Sequence, residues 1–466
     1  MTSKKALVLA AVCLGQFLIQ LDLTVVNVAL PDIGRDLDAS VSGLQWVLDS
    51  YNLALASLLL VGGRLGDRSG HRRVYLVGLA VFALGSGLCA LASSTAALVA
   101  FRVLQGVGAA IELPATLAIL THTFVEPDER ARAVGVWTAA AGSSLIIGPV
   151  LGGALVSAFG WQAVFLVNLP IVVIVVFLVL TTVGDIAKGG GPLDLPGQVL
   201  GTTGLALLAA GAIESGRPGF SPSVAAGLLV AGALSMAGFV AAERRSRHPM
   251  LPLGYFSSAS YTAVNATALV MGFITIGTLF VFSLYFQHVW GDSPLEAGLR
   301  FLPLTVAFVV VGPIAGRAIA AVGHRVLMAS GCVLFGAGNL LLLLGTGVHS
   351  DPGATSWPFV VIGLGYGLLS TPMAAAVLDA VPAARAGMAS STNLAGRLVG
   401  GVFGIAVLGA LLPSGSADGA GQVVFASTFV AGLHAACLVA AAVAFCGAVT
   451  AAVFIRPVRE RALSNA

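Results

Sequence analysis

Residues 63–72 join two long apolar segments and read Gly63-Arg64-Leu65-Gly66-Asp67-Arg68-Ser69-Gly70-His71-Arg72. A second stretch between apolar segments reads Gly316-Arg317-Ala318-Ile319-Ala320-Ala321-Val322-Gly323-His324-Arg325. Gly, Arg, Gly, His and Arg recur at one constant offset in the numbering. The same offset maps Arg132-Ala133 onto Arg385-Ala386, and Gly148 onto Gly401. Several matches at one offset predict two duplicated halves. Because Asp67-Arg68 becomes Ala320-Ala321, we expect the charged loop to work in the first half only.

The composition predicts an all-α polytopic membrane protein. Hydrophobic residues make up 58% of the 466 residues, Gly contributes 59 more, and only 9% are charged. Soluble domains average about 25% charged residues, so the polar surface is too small for soluble domains or a disordered chain. The net charge of +3, with no long basic block, argues against a nucleic-acid partner. The apolar runs also exceed the roughly ten-residue strands of an outer-membrane barrel.

Fourteen segments are apolar over the roughly 20 residues that cross a bilayer. These predicted spans, numbered 1 to 14 in chain order, are 6–29, 44–63, 74–93, 96–121, 132–157, 162–183, 194–214, 222–242, 262–287, 296–320, 325–346, 357–378, 387–412 and 424–455.

The span numbers of matching segments divide the chain into three parts. Each matching segment of the second half has a span number eight higher than its counterpart in the first half. Span 1 then corresponds to span 9 and span 6 to span 14, so each half has six helices. Spans 7 and 8 have no counterpart and are an inserted pair. We predict an N-terminal six-helix half over 1–188, the inserted pair with a basic loop over 189–250, and a C-terminal six-helix half with its tail over 251–466. Repeated halves are the way in which many transporters alternate access around a site at the membrane midplane.

The Lys and Arg residues predict the orientation. With the N-terminus inside, the outer segments carry only Arg35, Arg217 and Arg300, while Arg102 and Arg397 lie within spans. All other basic residues are then cytoplasmic, as the positive-inside rule requires. The even number of spans puts both termini in the cytoplasm. We therefore expect a multi-pass protein of the cytoplasmic membrane, in contact with lipid.

Ionisable residues inside predicted spans are candidate functional residues, because each costs at least about 2.5 kcal/mol at the centre of a bilayer. Asp22 in span 1 and Arg102 in span 4 have the same depth and can pair, either as a proton-linked switch or as a static ion pair. Glu112 lies about 15 Å deeper than Arg102 along span 4. It can bind a cationic ligand, take up a proton, or form a hydrogen bond between helices.

Helical spacing groups further polar residues on shared faces. Gln16, Gln20, Thr24 and Asn27 lie within an arc of about 80° of span 1, with Asp22 roughly opposite, so this stripe should face water or ligand. Gln105 and Glu112 share a face of span 4, and Asn393 and Arg397 share a face of span 13. We expect a substrate cavity lined by Gln16, Gln20, Asn27, Gln105, Glu112, Asn393 and Arg397. For the last two, packing is an equally good explanation.

Four motifs, in order and in the expected spans, resemble the major facilitator superfamily, and within it the 14-helix drug:proton antiporters. They are Leu21-Asp22-Leu23-Thr24-Val25-Val26-Asn27-Val28-Ala29-Leu30-Pro31, the loop over 63–73, Arg102-Val103-Leu104-Gln105-Gly106-Val107-Gly108-Ala109-Ala110, and Gly142 with Gly148-Pro149-Val150-Leu151-Gly152-Gly153.

The resemblance implies roles for these residues. Asp22 and Arg102 match proton-linked positions, with Glu112 as a candidate particular to this chain. The loop residues act as a cytoplasmic latch, with a topology anchor as the alternative; they are Gly63, Asp67, Arg68, Gly70 and Arg72. The span 5 residues form the antiporter motif of exporters, with a kinked packing helix as the alternative; they are Gly142, Gly148, Pro149, Gly152 and Gly153.

Together these features predict a transporter that exports amphipathic drugs or antibiotics in exchange for protons. It needs no cofactor, takes its energy from the proton gradient and works as a monomer. The alternative is a dedicated exporter of one metabolite, such as an antibiotic that the host makes. An enzyme is disfavoured because the seven histidines are dispersed and lie mostly at span ends. A sensor or scaffold without transport is a further class. No phosphate-binding loop of the Walker type occurs, which argues against ATP.

Overall fold

A computed structural model describes residues 3–184, 194–217, 219–246, 253–381, 386–413 and 422–455, together with residues 249 and 251. Within these residues the regular structure is helical. The basic residues Lys188, Arg247, Arg385, Arg456, Arg459 and Arg461, which we assigned to the cytoplasmic side, lie outside the described part.

Sixteen α-helices follow one another along the described chain. They are α1 (Ser3–Asp36), α2 (Val41–Ser69), α3 (His71–Ala90), α4 (Thr95–Thr123), α5 (Pro127–Phe159), α6 (Ala163–Leu166), α7 (Asn168–Thr182), α8 (Leu195–Ser215), α9 (Pro222–Arg245), α10 (Ala259–His288), α11 (Pro294–Arg300), α12 (Leu302–Val322), α13 (His324–Gly345), α14 (Ser356–Asp379), α15 (Ala386–Gly409) and α16 (Gln422–Phe454).

The number of spans agrees with the sequence. The described residues contain 13 helical segments long and apolar enough to cross a membrane, or 14 with α5, which bends by 41° between Ser144 and Ile147. The predicted all-α polytopic fold is therefore confirmed. The ends differ, because a helix continues past the apolar segment: α1 runs to Asp36, where the sequence pattern stopped at residue 29. Spans 6 and 10 are interrupted, at Val167 and at Phe301.

The chain divides into two compact units. The first contains Met1–Leu208, Leu228–Met250 and Ser293–Gly298, and the second contains Ala209–Gly227, Leu251–Asp292 and Leu299–Ala466. Parts of the inserted pair, α8 and α9, thus belong to each unit. Within the first unit, Gln198 at the start of α8 donates a hydrogen bond to the Ser57 carbonyl of α2, at 2.9 Å.

The two copies of the repeated loop share one backbone device. Gly70 separates α2 from α3 with φ 96°, and Gly323 separates α12 from α13 with φ 83°. Residues with a Cβ rarely adopt such angles, so both sharp turns require glycine. A histidine begins the following helix in each copy. The repeat in the sequence is therefore a repeat in the structure.

Candidate proton-coupling site in the first unit

Asp22 of α1 is fully buried and is surrounded by hydrogen-bond donors. Arg102 of α4 donates through Nη1 to Asp22 Oδ2. Gln105 Nε2 donates to Asp22 Oδ1 at 2.8 Å, and Asn168 Nδ2 of α7 donates to the same oxygen at 3.1 Å. The contact between Asp22 and Arg102 expected from their shared depth is therefore present. Three donors on two oxygens are what an ionised carboxylate needs when it is buried.

Arg102 is held on all sides and is itself fully buried. Its Nε donates to the Val47 carbonyl of α2 at 3.1 Å, and its Nη1 also donates to Gln105 Oε1 at 2.7 Å. The guanidinium carbon lies 4.3 Å from the centre of the Tyr51 ring, which adds a cation–π contact. Nε and Nη1 therefore both have partners within the protein.

Ser86 of α3 connects the outer members of this network. Its hydroxyl donates to the Phe165 carbonyl at 2.8 Å. It accepts from Asn168 Nδ2 at 3.0 Å and from Gln105 Nε2 at 3.2 Å. Five helices, α1, α2, α3, α4 and α7, and the short helix α6 thus meet at a connected set of polar groups, so a change of charge at Asp22 affects all of them.

Glycines bring α4 close enough for these contacts. A Cβ on Gly106 would lie 2.6 Å from the Tyr51 carbonyl oxygen of α2, and a Cβ on Gly108 would lie 2.4 Å from the Phe82 nitrogen of α3. Gly85 of α3 makes the same kind of approach to Gln105, at 2.7 Å. The glycines of the span 4 motif therefore set the distance at which Arg102 and Gln105 reach their partners.

Two residues that the sequence analysis placed on polar faces have other neighbours in the structure. Gln105, which we placed at a substrate cavity, is fully buried and bonded to Asp22 and Arg102. Thr24 does not face water or ligand, because its hydroxyl donates to the Ser144 carbonyl of α5 at 3.2 Å. Gln16 and Asn27 of the same stripe are also buried, whereas Gln20 is partly exposed. A helical wheel shows which residues share a face but not which helix covers it.

Glu112 of α4 is fully buried, and the structure shows no hydrogen-bond partner for either carboxylate oxygen. α3 covers it, since a Cβ on Gly78 would lie 2.8 Å from both the Cβ and the nitrogen of Glu112. The expectation that Glu112 has no contact with Arg102 holds. Glu112 therefore differs from Asp22 in having no hydrogen-bond donor on its carboxylate among the described residues.

Asp49 of α2 is a buried acid that the sequence analysis missed. It is fully buried, and neither of its carboxylate oxygens has a hydrogen-bond partner in the described structure. The signal was present, because Asp49 lies within predicted span 2. Asn168 and Ser86 were also missed, since a single Asn or Ser in an apolar span does not reveal its partner.

The antiporter motif lies where α5 bends and contacts α1. Pro149 lacks the N–H that would bond to the carbonyl four residues earlier, and the bend falls between Ser144 and Ile147. A Cβ on Gly148 would lie 1.9 Å from Thr24 Oγ1, and one on Gly152 would lie 2.8 Å from the Val25 carbonyl oxygen. Gly153 packs in the same way on the backbone of Leu295, at 2.6 Å. The motif is therefore a close-packing surface, whatever its role in transport.

The charged segment predicted as a loop is the end of α2 and the start of α3, and it makes contacts within the first unit. Asp67 Oδ1 lies 3.2 Å from His71 Nε2, Arg64 donates to the Pro249 carbonyl at 2.6 Å, and Arg72 donates to the Leu180 carbonyl at 3.1 Å. Asp67 lies in the last turn of α2, where the helix dipole disfavours an anion. Its stabilisation comes instead from the histidine that begins α3.

The second unit holds the remaining cavity candidates on α15. Asn393 and Arg397 are both half-buried. Asn393 Nδ2 donates to the Val264 carbonyl of α10 at a long 3.5 Å. Their part in binding a substrate stays a prediction. Within the described residues, no three His, Cys, Asp or Glu side chains group as a metal site would require.

Comparison with protein families decides the class. A model described as "Major Facilitator Superfamily" matches residues 12–405. The chain belongs to the major facilitator superfamily. As a member of this superfamily it is a transporter with many membrane spans, not a member of a known enzyme family.

Relatives of this major facilitator are named as resistance and export proteins. It is 38% identical to "Multidrug resistance protein Stp" of Mycobacterium tuberculosis over 416 residues, which cover 88% of this chain and 76% of the relative. It is 37% identical to "Tetracenomycin C resistance and export protein" of Streptomyces glaucescens over 412 residues, covering 88% and 76%. It is 39% identical to "Cephamycin export protein CmcT" of Amycolatopsis lactamdurans over 420 residues, covering 89% and 86%.

Solved structures of other transporters share the fold of this major facilitator. A bacterial homologue of the human lysosomal transporter Spinster matches with a TM-score of 0.71 and 18% identity, over 98% of both chains. The D-xylose–proton symporter matches with a TM-score of 0.69 and 13% identity, over 98% of this chain and 99% of that one. At such identities the likeness concerns the fold alone.

Proposed function

We propose that this major facilitator exports amphipathic small molecules, cationic or zwitterionic in character, from the cytoplasm in exchange for protons. The observation that carries the proposal is the buried carboxylate of Asp22, which is paired with Arg102 inside one six-helix half. A buried ionisable group in a membrane protein is costly and marks an ion or proton pathway. The names of the relatives support export of drugs and antibiotics.

Asp22 is the proposed coupling carboxylate. All three groups that contact its oxygens are donors: Arg102, Gln105 and Asn168. A proton on Asp22 removes the negative charge and puts a fourth hydrogen among these donors, so the network must rearrange. Loss of that proton restores it. Proton binding and release thereby repack the helices that carry the network, and alternating access follows from that repacking.

The energy for export comes from the proton gradient, and no cofactor takes part. One proton that moves inward across 100 mV supplies about 2.3 kcal/mol, before any pH difference is counted. The proposed partners are therefore the substrate, protons and membrane lipid, with the monomer as the working unit. The basic residues favour both termini in the cytoplasm. In this orientation Asp67, Arg68 and Arg72, with Gly63 and Gly70, form the proposed cytoplasmic latch.

The kink and close packing of α5 support export rather than uptake. Pro149 bends the helix, and Gly148 and Gly152 pack directly on α1, the helix that carries Asp22. Repacking around Asp22 therefore reaches α5 through backbone contacts. Gly142, Gly148, Pro149, Gly152 and Gly153 form the proposed antiporter motif.

Proton flux from proteoliposomes with a preset pH gradient tests the proposal. Candidate compounds are added one at a time, and a pH indicator reports proton movement. We expect proton release on addition of a lipophilic cation, and its loss in Asp22→Asn. Glu243→Gln, which alters a buried acid of α9 outside this network, serves as the control and should keep the flux. No release with any compound from a folded protein would contradict proton antiport.

A dedicated exporter of one metabolite is the second candidate. It is favoured by the relatives named for tetracenomycin C and cephamycin, two single products. In the same assay this alternative predicts no response to lipophilic cations and proton release with one neutral or anionic compound. Gln16, Gln20, Asn27, Asn393 and Arg397 are the residues to substitute first when the substrate is known.

A further inference from the structure

Glu112 is an isolated acid inside the first unit. It is fully buried on α4, both oxygens lack a hydrogen-bond partner among the described residues, and Gly78 of α3 closes over its Cβ. The phenols of Tyr75 and Tyr51 interact with it electrostatically, and neither is a cation. No group that the structure describes around Glu112 compensates a negative charge.

The contrast with Asp22 indicates which form of each acid its surroundings suit. Asp22 accepts from three donors, one of them a guanidinium, which suits an anion. Glu112 accepts from none, and an ionised carboxylate without donors or a cation is strongly disfavoured in an apolar interior. In this conformation the surroundings of Asp22 therefore suit a deprotonated carboxylate, and those of Glu112 suit a protonated carboxyl group.

The close packing of α3 against Glu112 leaves space for a proton but not for an organic cation on that side. A single methyl on Gly78 would already lie 2.8 Å from Glu112, so the α3 side has no room for a ligand. Glu112 also lies ten residues along α4 from Arg102, about 15 Å away, so it does not share the site of Asp22.

A polar group lies next to Glu112 on the same face of α4. Thr116 lies one turn further along the same face of α4, and its Oγ1 accepts a hydrogen bond from Trp137 Nε1 at 3.2 Å. Trp137 is half-buried. Thr116 thus lies between the acid and a side chain that reaches the surface of the unit, on the side away from Arg102.

We propose that Glu112 is a second proton-carrying carboxyl of the transport cycle, at a site apart from Asp22 but in the same cycle, so that each molecule exported is exchanged for one proton more than Asp22 alone carries. The proposal rests on the proton antiport proposed above. The proton forms an O–H bond on a Glu112 oxygen on one side of the membrane. It leaves on the other side after repacking has uncovered the acid.

Two measurements on the reconstituted full-length protein test this. The first is infrared spectroscopy at neutral pH, in which the carbonyl stretch of a protonated carboxyl separates from the ionised bands. We expect Glu112→Gln to remove part of this band and Asp22→Asn to leave it unchanged. Asp49→Asn, which removes the other acid without a partner, should take away a separate part. A band unaffected by Glu112→Gln overturns the proposal.

The second measurement counts protons taken up per ethidium exported, by a pH indicator and by ethidium fluorescence. We expect the ratio to fall by one proton in Glu112→Gln and to stay unchanged in Glu243→Gln. Gln has the shape of the neutral acid, so the variant should fold. An unchanged ratio, with the infrared band lost, makes Glu112 a static acid and overturns the proposal. Failure of the wild-type protein to exchange protons with any compound of the panel would instead overturn the proposed antiport, which keeps the two failures distinct.

Discussion

Asp379 lies beside His324 as Asp67 lies beside His71. His324 Nε2 is 3.1 Å from Asp379 Oδ2, and His71 Nε2 is 3.2 Å from Asp67 Oδ1. The repeated loop lost its own acid in the second half, where Ala320 replaces it, and the end of α14 supplies another. The acid is therefore absent from the sequence of the second copy, but an acid from α14 takes its place beside the histidine. That the charged loop works in the first half only stays a prediction.

The first prediction concerns this replacement. Asp379→Asn should lower the stability of the protein by less than about 1 kcal/mol, because the Asp379 side chain is 55% exposed and its contact with His324 is screened by solvent. Asp67→Asn, with its carboxylate 56% exposed, should have an effect of similar size. Thermal unfolding of the purified variants in detergent measures both.

Ala320→Asp provides the matching rescue. Ala320 is exposed and stands four residues before His324, as Asp67 stands four residues before His71. Introduced into Asp379→Asn, it should restore the lost stability. Rescue by Ala320→Asn to the same extent would show that charge on the acid is unimportant.

The second prediction separates the charge of Asp22 from its packing. Asp22→Asn leaves Arg102 buried without a counter-charge, which should cost about 3–5 kcal/mol of stability. The double variant Asp22→Asn with Arg102→Met removes the stranded cation and should recover much of that loss. Neither variant should exchange protons. Denaturant unfolding together with proton flux gives both quantities, and a double variant less stable than Asp22→Asn alone would contradict the argument.

Sequence reasoning succeeded where the length of a helix, or the depth of a residue along it, decides the outcome. The apolar length of each segment gave the spans, and the depths of Asp22 and Arg102 on two antiparallel helices gave their contact. It failed where the rotation of neighbouring helices decides which helix covers a given side chain. Gln105 turned towards Asp22, and Thr24 turned towards α5, because the covering helix is fixed by packing across many residues. The breaks at Val167 and Phe301 did carry a signal, because Pro170 and Pro303 follow within three residues and proline favours the first turn of a new helix.

The third prediction concerns Asn168, the donor that the sequence analysis missed. Asn168→Ala removes one donor from Asp22 and one from Ser86, and should lower stability by about 1–3 kcal/mol because buried partners stay unsatisfied. Asn339→Ala is the matched control, since this buried Asn donates only to the Phe335 carbonyl of its own helix. Unfolding midpoints should therefore fall further for Asn168→Ala. Equal losses would mean that burial, and not the contact with Asp22, sets the cost.

The last prediction tests the contact between α5 and α1. Gly148→Ala would place a methyl 1.9 Å from Thr24 Oγ1 and 2.7 Å from Thr24 Cβ, so the two helices must move apart. We expect lower stability and slower export. Gly135→Ala, on the same helix with nothing within 4 Å of the new methyl, should leave export intact and stabilise α5 by up to about 1 kcal/mol.

Thr24→Gly in the Gly148→Ala background moves the small residue from α5 to α1. The substitution removes Thr24 Oγ1 and Cβ, the two atoms that the new methyl would meet. The Thr24 backbone carbon then lies 3.5 Å from the methyl, which is an ordinary contact distance. Glycine within α1 costs about 1 kcal/mol of its own, so we expect partial recovery of stability and fuller recovery of export. Export rates measured per folded molecule separate the two effects. If export stays slow while the helices regain their stability, Gly148 acts through flexibility of α5 and not through its close approach to α1.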